Sequence, residues 1–230
     1  MLARVPEPEL MDDPEQARAY SEADFSEAHD AFVAHGLACF GPIAGEVLDL
    51  GCGAADPTVR FARGNPDARI VGVDAGPNML ALARMRVRRA GLDDRIRFEC
   101  RTLPDDHLRG RRFDAIVSNS LLHHLASPLV LWETVAACAR SNAPLLVMDL
   151  LRPTDIATVE ALVQRYAGDA PAVLRADFRN SLRAAYRPDE VRAQLHAAGL
   201  DGLDVEQVSD RHLLVSGRIA VQFSRITSRL

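Results

Sequence analysis

The sequence predicts an α/β fold with a mostly parallel sheet and helices on both of its faces. Short apolar runs alternate with amphipathic helical segments, and a glycine-containing turn follows the first run. The last two runs are separated only by Ser209 and Asp210, which is short enough only for an antiparallel hairpin. With 230 residues, the chain has room for one substantial core and an appendage. We therefore expect seven strands, the last of them in a C-terminal antiparallel hairpin.

Five apolar runs are predicted to be the parallel strands. They cover residues 46–50, 69–73, 96–100, 113–118 and 143–151, and the hairpin covers 203–208 and 212–216. Three helices have recognisable ends, at residues 77–90, 128–140 and 188–198. Gly91 predicts a left-handed cap after the first of these helices. Ser127 and Pro128 predict the N-cap and the first turn of the second.

Two segments lie outside this alternation of strands and helices. Residues 1–40 are predicted to form an N-terminal helical cap on a domain that covers residues 41–230. Residues 154–187 exceed what a simple connection needs, and we expect them to form a lid-like insert. Both segments are candidates to cover a ligand cleft.

Composition limits the class of protein. The formal net charge of −5 argues against nucleic acid as a partner, because such binding relies on basic surfaces. No run of about 18 apolar residues is present that could span a membrane. The acidic first residues do not resemble an export signal, and the cysteines show no paired spacing. We therefore expect a cytoplasmic protein with reduced thiols that is either a monomer or a homodimer.

The turn after the first strand contains Gly51, Cys52 and Gly53 between two acidic residues, Asp49 and Asp56. Glycines at this spacing let a ligand approach the backbone closely. A dinucleotide site is disfavoured, because Asp56 replaces the third glycine of the usual pattern and the carboxylates would repel a pyrophosphate. S-adenosylmethionine carries a sulfonium and an ammonium but no phosphate. The charges therefore favour S-adenosylmethionine as the cofactor.

Asp74 ends the second strand, twenty-one positions beyond Gly53. A carboxylate there can accept hydrogen bonds from the two ribose hydroxyls of a nucleoside. The alternative role is a plain helix cap before Pro77. The spacing from the glycine turn favours the nucleoside.

Residues 47–53, 71–80 and 113–125 together resemble the class I S-adenosylmethionine-dependent methyltransferases that act on small molecules. The likeness covers about residues 45–150 and implies a Rossmann-like fold and methyl transfer to a small acceptor. It implies that Gly51 and Gly53 flank the methionine moiety, that Asp49 reaches its amino group and that Asp74 holds the ribose. The further cofactor contacts that we predict are Cys52, Ala75, Met79, Ser118 and Asn119.

One feature departs from the family pattern. Many members carry an acid shortly after the third strand that binds the adenine amino group, whereas this chain has Cys100 and Arg101 there. We expect backbone groups around Thr102 and Leu103 to contact the adenine instead.

The acceptor site is less well defined than the cofactor site. His123 or His124 is a candidate base if the acceptor must lose a proton. Adjacent residues on a helix project about 100° apart, so we expect at most one of the two to face the cleft. The alternative is that one packs inside and the other is solvated.

Three further residues are candidates to bind the acceptor. Asp149 can orient it or pair with a neighbouring arginine, and Tyr20 can supply an apolar wall. Arg179 belongs to a stripe that either binds an anionic acceptor or faces water. The acids do not cluster as a magnesium-dependent catechol-type site requires, so we predict no catalytic metal.

Two other functions remain open. The protein can bind S-adenosylmethionine and transfer a different group, or it can be a non-catalytic, partner-binding protein that has kept the nucleoside cleft.

Overall fold

The computed structural model describes residues 1–7 and 12–220. The strands are β1 (Gly45–Leu50), β2 (Ala68–Asp74), β3 (Ile96–Cys100), β4 (Ala115–Asn119), β5 (Pro144–Leu150), β6 (Asp204–Gln207) and β7 (His212–Arg218). The helices are α1 (Pro14–Glu22), α2 (Ser26–Phe40), α3 (Asp56–Gly64), α4 (Pro77–Ala90), α5 (Asp106–Arg109), α6 (Leu129–Cys138), α7 (Ile156–Ala167), α8 (Ala172–Ala184) and α9 (Pro188–Ala197). A short 3-10 helix covers Leu122–His124.

The seven strands form one sheet in the order β3-β2-β1-β4-β5-β7-β6. Strands β1 to β5 are parallel, and β7 runs antiparallel to both β5 and β6. The predicted fold and its C-terminal hairpin are thus confirmed. Because β1 pairs with β2 on one side and β4 on the other, the strand order changes direction there. Ligands of open α/β sheets bind at the carboxyl end of such a point.

Both faces of the sheet are buried at its centre, which explains why β1, β4 and β5 are largely apolar runs. The edge strands β3 and β6 are partly exposed. Adjacent residues of β1 point to opposite faces. Val47 packs in the same cluster as Phe32 of α2, whereas Leu48 packs with Trp132 of α6. The sheet is therefore held between two helical layers.

The start of α6 corrects one prediction. Pro128 precedes the helix instead of occupying its first turn, and no side-chain hydrogen bond from Ser127 caps it. The helix also ends before residue 140, because Ala139 is extended and bridges Phe113. The same bridge lies outside β4, so the predicted fourth strand begins too early. The helix α3 was not predicted, although Val59, Phe61 and Ala62 form a buried side on it.

The N-terminal helices and the insert meet above the carboxyl edge of the sheet. Helices α7 and α8 pack on each other and against Leu150 at the end of β5. The side-chain amide of Gln16 in α1 donates to Asp177 in α8 at 2.9 Å. Near the N-terminus, Leu2 donates a backbone hydrogen bond to Thr154 at 2.8 Å. Within the described part of the chain, no helix has the length and apolar character that crossing a membrane requires.

Candidate functional site

The loop after β1 enters the left-handed backbone region at both of its glycines. Gly51 and Gly53 have φ angles of 71° and 50°, which favour glycine. A Cβ atom on Gly51 would lie 2.8 Å from Leu121, whereas nothing lies within 4 Å of such an atom on Gly53. The sulfur of Cys52, between them, packs against Gly72 of β2. Gly53 is therefore the point at which the loop faces open space.

Asp49 is a buried carboxylate at the end of β1. Its Oδ2 atom accepts a hydrogen bond of 2.6 Å from the hydroxyl of Thr58. Burial raises the pKa of Asp49 to about 7, although the Thr58 hydrogen bond acts in the opposite direction. A cation beside this carboxylate would favour its ionised form. A positively charged ligand would thus stabilise the charge of this carboxylate.

Asp74 connects the glycine loop to the loop that follows β2. Its Oδ2 accepts from the backbone nitrogen of Gly53 at 2.9 Å, and its Oδ1 accepts from that of Gly76 at 2.8 Å. Burial raises its pKa. The capping role at α4 falls instead to Asp12, whose Oδ1 accepts from the backbone of Asn78 at 2.9 Å. Asp12 was missed because nothing in the sequence links it to α4.

Asp56 differs from the other acids of the loop, because a histidine and two arginines surround it. It contacts His29 and Arg86 at 2.6 Å and Arg60 at 2.8 Å. The hydrogen bond from His29 and the arginines lower its pKa despite partial burial. The prediction that Asp56 helps to repel a phosphate is therefore wrong. The negative potential of the loop comes from Asp49 and Asp74.

The end of β4 supplies two polar side chains. The hydroxyl of the buried Ser118 donates to the carbonyl oxygen of Leu50 at 2.7 Å, so Ser118 holds β1 and β4 together. The Oδ1 atom of Asn119 is buried and has no hydrogen-bond partner among the described residues. A buried acceptor without a donor is costly. The free Asn119 oxygen is thus suited to a donor group on a ligand.

The segment after β3 continues along the Asp74 loop. The backbone nitrogen of Arg101 donates to the carbonyl oxygen of Asp74 at 2.9 Å. The guanidinium of Arg101 bonds to Glu99 at 2.7 Å and is therefore engaged locally. Thr102 and Leu103 come directly after it and are exposed and half-buried, respectively. The backbone groups of Thr102 and Leu103 therefore lie beside the loop that carries Asp74.

Helix α1 closes over the glycine loop. Ala17 of α1 packs with Ala54 of the loop and Met79 of α4, and Tyr20 adds to this cluster. Burial raises the pKa of Tyr20 to about 12, and nearby carboxylates act in the same direction. Ala75 is half-buried in the loop before α4. The predicted residues Tyr20, Ala75 and Met79 therefore lie around the same loops.

A polar cluster lies at the neighbouring end of β5. Asp149 Oδ1 is 2.6 Å from Nδ1 of His123. Glu7 Oε1 lies 3.5 Å from Nε2 of His123 and 3.2 Å from Nδ1 of His124, and the Ser181 hydroxyl donates to Glu7 at 3.0 Å. Burial opposes protonation of His123, but Asp149 outweighs this effect, so the pKa of His123 is raised. Both imidazoles thus meet one carboxylate, and sequence reasoning missed that carboxylate.

Arg179 lies on the insert and is paired there. Its guanidinium donates two hydrogen bonds to Glu160 of α7, of 2.6 and 2.7 Å. Arg175, one turn earlier, donates to the carbonyl oxygen of Ala170 at 2.6 Å. These two members of the predicted stripe make contacts within the insert.

The strand order, the glycine loop at its turning point and the acid at the end of β2 together define a Rossmann-like fold with a candidate nucleoside site. Residues 47–144 match the family model described as a methyltransferase domain. For this segment of the chain, the match confirms the resemblance seen in the sequence.

Two curated relatives have named reactions. The 27-O-demethylrifamycin SV methyltransferase of Amycolatopsis mediterranei is 28% identical over 166 residues, which are 71% of this chain and 56% of the relative. The ubiquinone biosynthesis O-methyltransferase of Dinoroseobacter shibae is 28% identical over 169 residues, 69% of this chain and 60% of the relative. This chain thus spans less than two thirds of the length of either relative.

A solved structure shows the same fold. The plantazolicin methyltransferase BpumL, in complex with S-adenosylhomocysteine and a triazolic desmethyl analogue, has a TM-score of 0.68 at 13% identity. The match covers 90% of this chain and 92% of that structure. The likeness therefore extends over nearly the whole of both chains.

Proposed function

We propose that this protein is an S-adenosylmethionine-dependent methyltransferase that acts on an oxygen, nitrogen or sulfur atom of a small molecule. When bound, the cofactor supplies a methyl group on a positively charged sulfur. The observation that carries the proposal is a pair of carboxylates, the buried Asp49 and the half-buried Asp74, on either side of an open glycine turn. Such a pair favours a cationic nucleoside over a phosphorylated one.

The residues around the loop fit this cofactor. Asp49 takes its ammonium group, directly or through water, and Asp74 accepts from its ribose hydroxyls. The unpartnered oxygen of Asn119 is a further acceptor for the ammonium, and backbone groups of Thr102 and Leu103 hold the adenine. The remaining contacts that we propose are Gly51, Cys52, Gly53, Ala75, Met79 and Ser118.

The acceptor binds at the ends of β4 and β5, where Tyr20 and Asp149 border the space. Residues 1–40 act as the cap of this space, and residues 154–187 act as its lid. Methyl transfer needs an acceptor lone pair held in line behind the methyl carbon, so positioning supplies much of the rate. An acceptor proton passes to the cluster that contains His123 and His124.

Several observations support the acceptor class. Both named relatives are O-methyltransferases by their names, which supports a hydroxyl group as the acceptor. The net charge of −5 supports a small molecule over nucleic acid. The four cysteines are free thiols, which supports the cytoplasm as the compartment. We propose that the protein is a monomer or a homodimer and that its function does not involve a membrane.

Calorimetry and turnover test this function. The purified chain should bind S-adenosylhomocysteine and not NAD; tight binding of NAD alone would overturn the proposal. With a panel of phenols, alcohols, amines and thiols, turnover should release S-adenosylhomocysteine and add one methyl group to the product. A product that gains another group would indicate different transfer chemistry. Cofactor binding with no turnover on any acceptor would favour a non-catalytic protein.

The role of the histidines is tested separately. His123→Ala and His124→Ala should each retain S-adenosylhomocysteine binding, and at least one of them should lose turnover. Equal, full activity in both variants would remove the cluster from the reaction.

A further inference from the structure

Glu7, His123 and His124 place three metal-ligating side chains around one point. One donor atom from each residue lies within 4.8 Å of the other two. His123 is buried, and His124 and Glu7 have side chains that are 15% and 10% exposed. Two imidazoles and one carboxylate form a ligand set that binds catalytic zinc in other proteins.

The size of the cluster matches a coordination sphere. Donor atoms at about 2.0 to 2.1 Å from a tetrahedral zinc ion lie about 3.3 to 3.4 Å from each other. The two distances from Glu7 Oε1, 3.5 Å to His123 and 3.2 Å to His124, lie on either side of this value. Two of the three donor separations therefore match a tetrahedral ion, and the third, between the two imidazole nitrogens, is within 4.8 Å.

The cluster also has the outer partners of a metal site. Ligand histidines in proteins almost always donate their second ring nitrogen to a carboxylate or carbonyl. Here Asp149 holds Nδ1 of His123 at 2.6 Å and is itself fixed by the backbone nitrogen of Leu122 at 2.7 Å. This contact leaves Nε2 of His123 directed at Glu7. The Ser181 hydroxyl orients Glu7 by donating to its carboxylate, at 3.0 Å to Oε1 and 3.3 Å to Oε2.

We propose that Glu7, His123 and His124 bind a divalent cation of the zinc class. A hard ion such as magnesium prefers oxygen ligands, so the absence of an acidic cluster does not bear on this site. Three protein ligands leave a tetrahedral ion one position for water or for another ligand. If the proposed methyltransferase function is correct, that position takes the acceptor heteroatom. With the ion bound, both histidines are ligands and no longer serve as bases, so the bound O–H or S–H group releases its proton to water. The resulting anion takes the methyl group as the sulfonium becomes a thioether.

Cobalt titration of the untagged protein tests the site. After dialysis against a chelator, the chain should bind one Co²⁺ with visible absorption bands typical of a four-coordinate ion, and Zn²⁺ should abolish these bands. Glu7→Gln and His124→Ala should each weaken Co²⁺ binding by roughly 100-fold or more, because even outer partners of a ligand are worth about 10- to 100-fold. His196→Ala is the matched control, since His196 is exposed and pairs with Asp201; it should change nothing.

Two further measurements separate the metal site from the proposed methyltransferase function. Circular dichroism and S-adenosylhomocysteine binding show whether each variant is folded. Absence of Co²⁺ binding, or binding that Glu7→Gln and His124→Ala leave unchanged, would overturn the metal site while cofactor binding stands. Co²⁺ binding that both variants weaken, in a chain that ignores S-adenosylhomocysteine, would keep the metal site and refute the methyltransferase function.

Discussion

Replacing Asp49 by asparagine removes a buried charge from the end of β1 and keeps the size of the side chain. Burial raises the pKa of this carboxyl from its ordinary value of 3.8 to about 7. The folded chain therefore binds the proton more tightly than the unfolded chain does. The stabilisation is complete below the pKa that Asp49 has in the unfolded chain. It is lost as the pH rises through the pKa that Asp49 has in the folded chain. A pKa difference of one is worth about 1.4 kcal/mol, so the full contribution of Asp49 to the free energy of unfolding is about 4 kcal/mol.

The two proteins should differ most in alkaline solution. Without ligand, Asp49→Asn should be more stable than the wild type at about pH 8, by up to about 4 kcal/mol, and nearly equal to it at about pH 4. Cofactor binding should change in the opposite direction, because the cationic ligand favours the ionised carboxylate. Wild-type affinity for S-adenosylhomocysteine should fall by up to about tenfold for each pH unit below 7. The affinity of the variant should be weaker at neutral pH and should not follow this curve.

Guanidinium chloride unfolding at several pH values gives the stabilities, and calorimetry gives the affinities. Asp94→Asn is the control, since Asp94 is an exposed carboxylate away from the loop, and its curves should follow those of the wild type. Identical pH profiles for wild type and Asp49→Asn, in both stability and affinity, would refute the reasoning.

Three further substitutions test other parts of the site. Asp74→Ala should weaken S-adenosylhomocysteine binding by about 1 to 3 kcal/mol through lost charged hydrogen bonds; an unchanged calorimetric constant would remove Asp74 from the site. Gly51→Ala should lower the free energy of unfolding by more than Gly91→Ala, because both have positive φ but only Gly51 is crowded. We expect about 1 to 2 kcal/mol for Gly91→Ala and about 1 to 3 kcal/mol more for Gly51→Ala, and equal losses would contradict this. Arg179→Ala should leave the Michaelis constant unchanged, since Glu160 holds its guanidinium, and a several-fold rise would indicate an anionic acceptor.

Local sequence patterns were sufficient to predict the sheet. Each parallel strand is a short run of strand-forming residues with punctuation at its end, so its existence follows from neighbouring residues. The cofactor loop was predictable for the same reason, because Asp49, Gly51 and Gly53 lie within five positions of each other. The ends of elements were less predictable. Phe113 extends the apolar run of β4, yet its partner is Ala139, which only the folded chain brings near.

Contacts between distant parts of the chain account for what was missed. Glu7 joins two histidines that lie more than a hundred positions later, and the sequence around it is an ordinary acidic stretch. Asp56 seemed to add negative charge to the loop because two of its partners, His29 and Arg86, lie in other helices, α2 and α4. These two contacts follow from tertiary packing and leave no local pattern, whereas Arg60 lies four positions after Asp56 in α3 itself.

The position of β7 between β5 and β6 affects the order in which the chain can complete its sheet during synthesis. Until β7 leaves the ribosome, β5 has β4 on one side and an unpaired row of backbone groups on the other. Such an edge is a template for pairing with other nascent chains. Truncation before residue 212 should therefore yield aggregates, even though residues 47–144 would all be present.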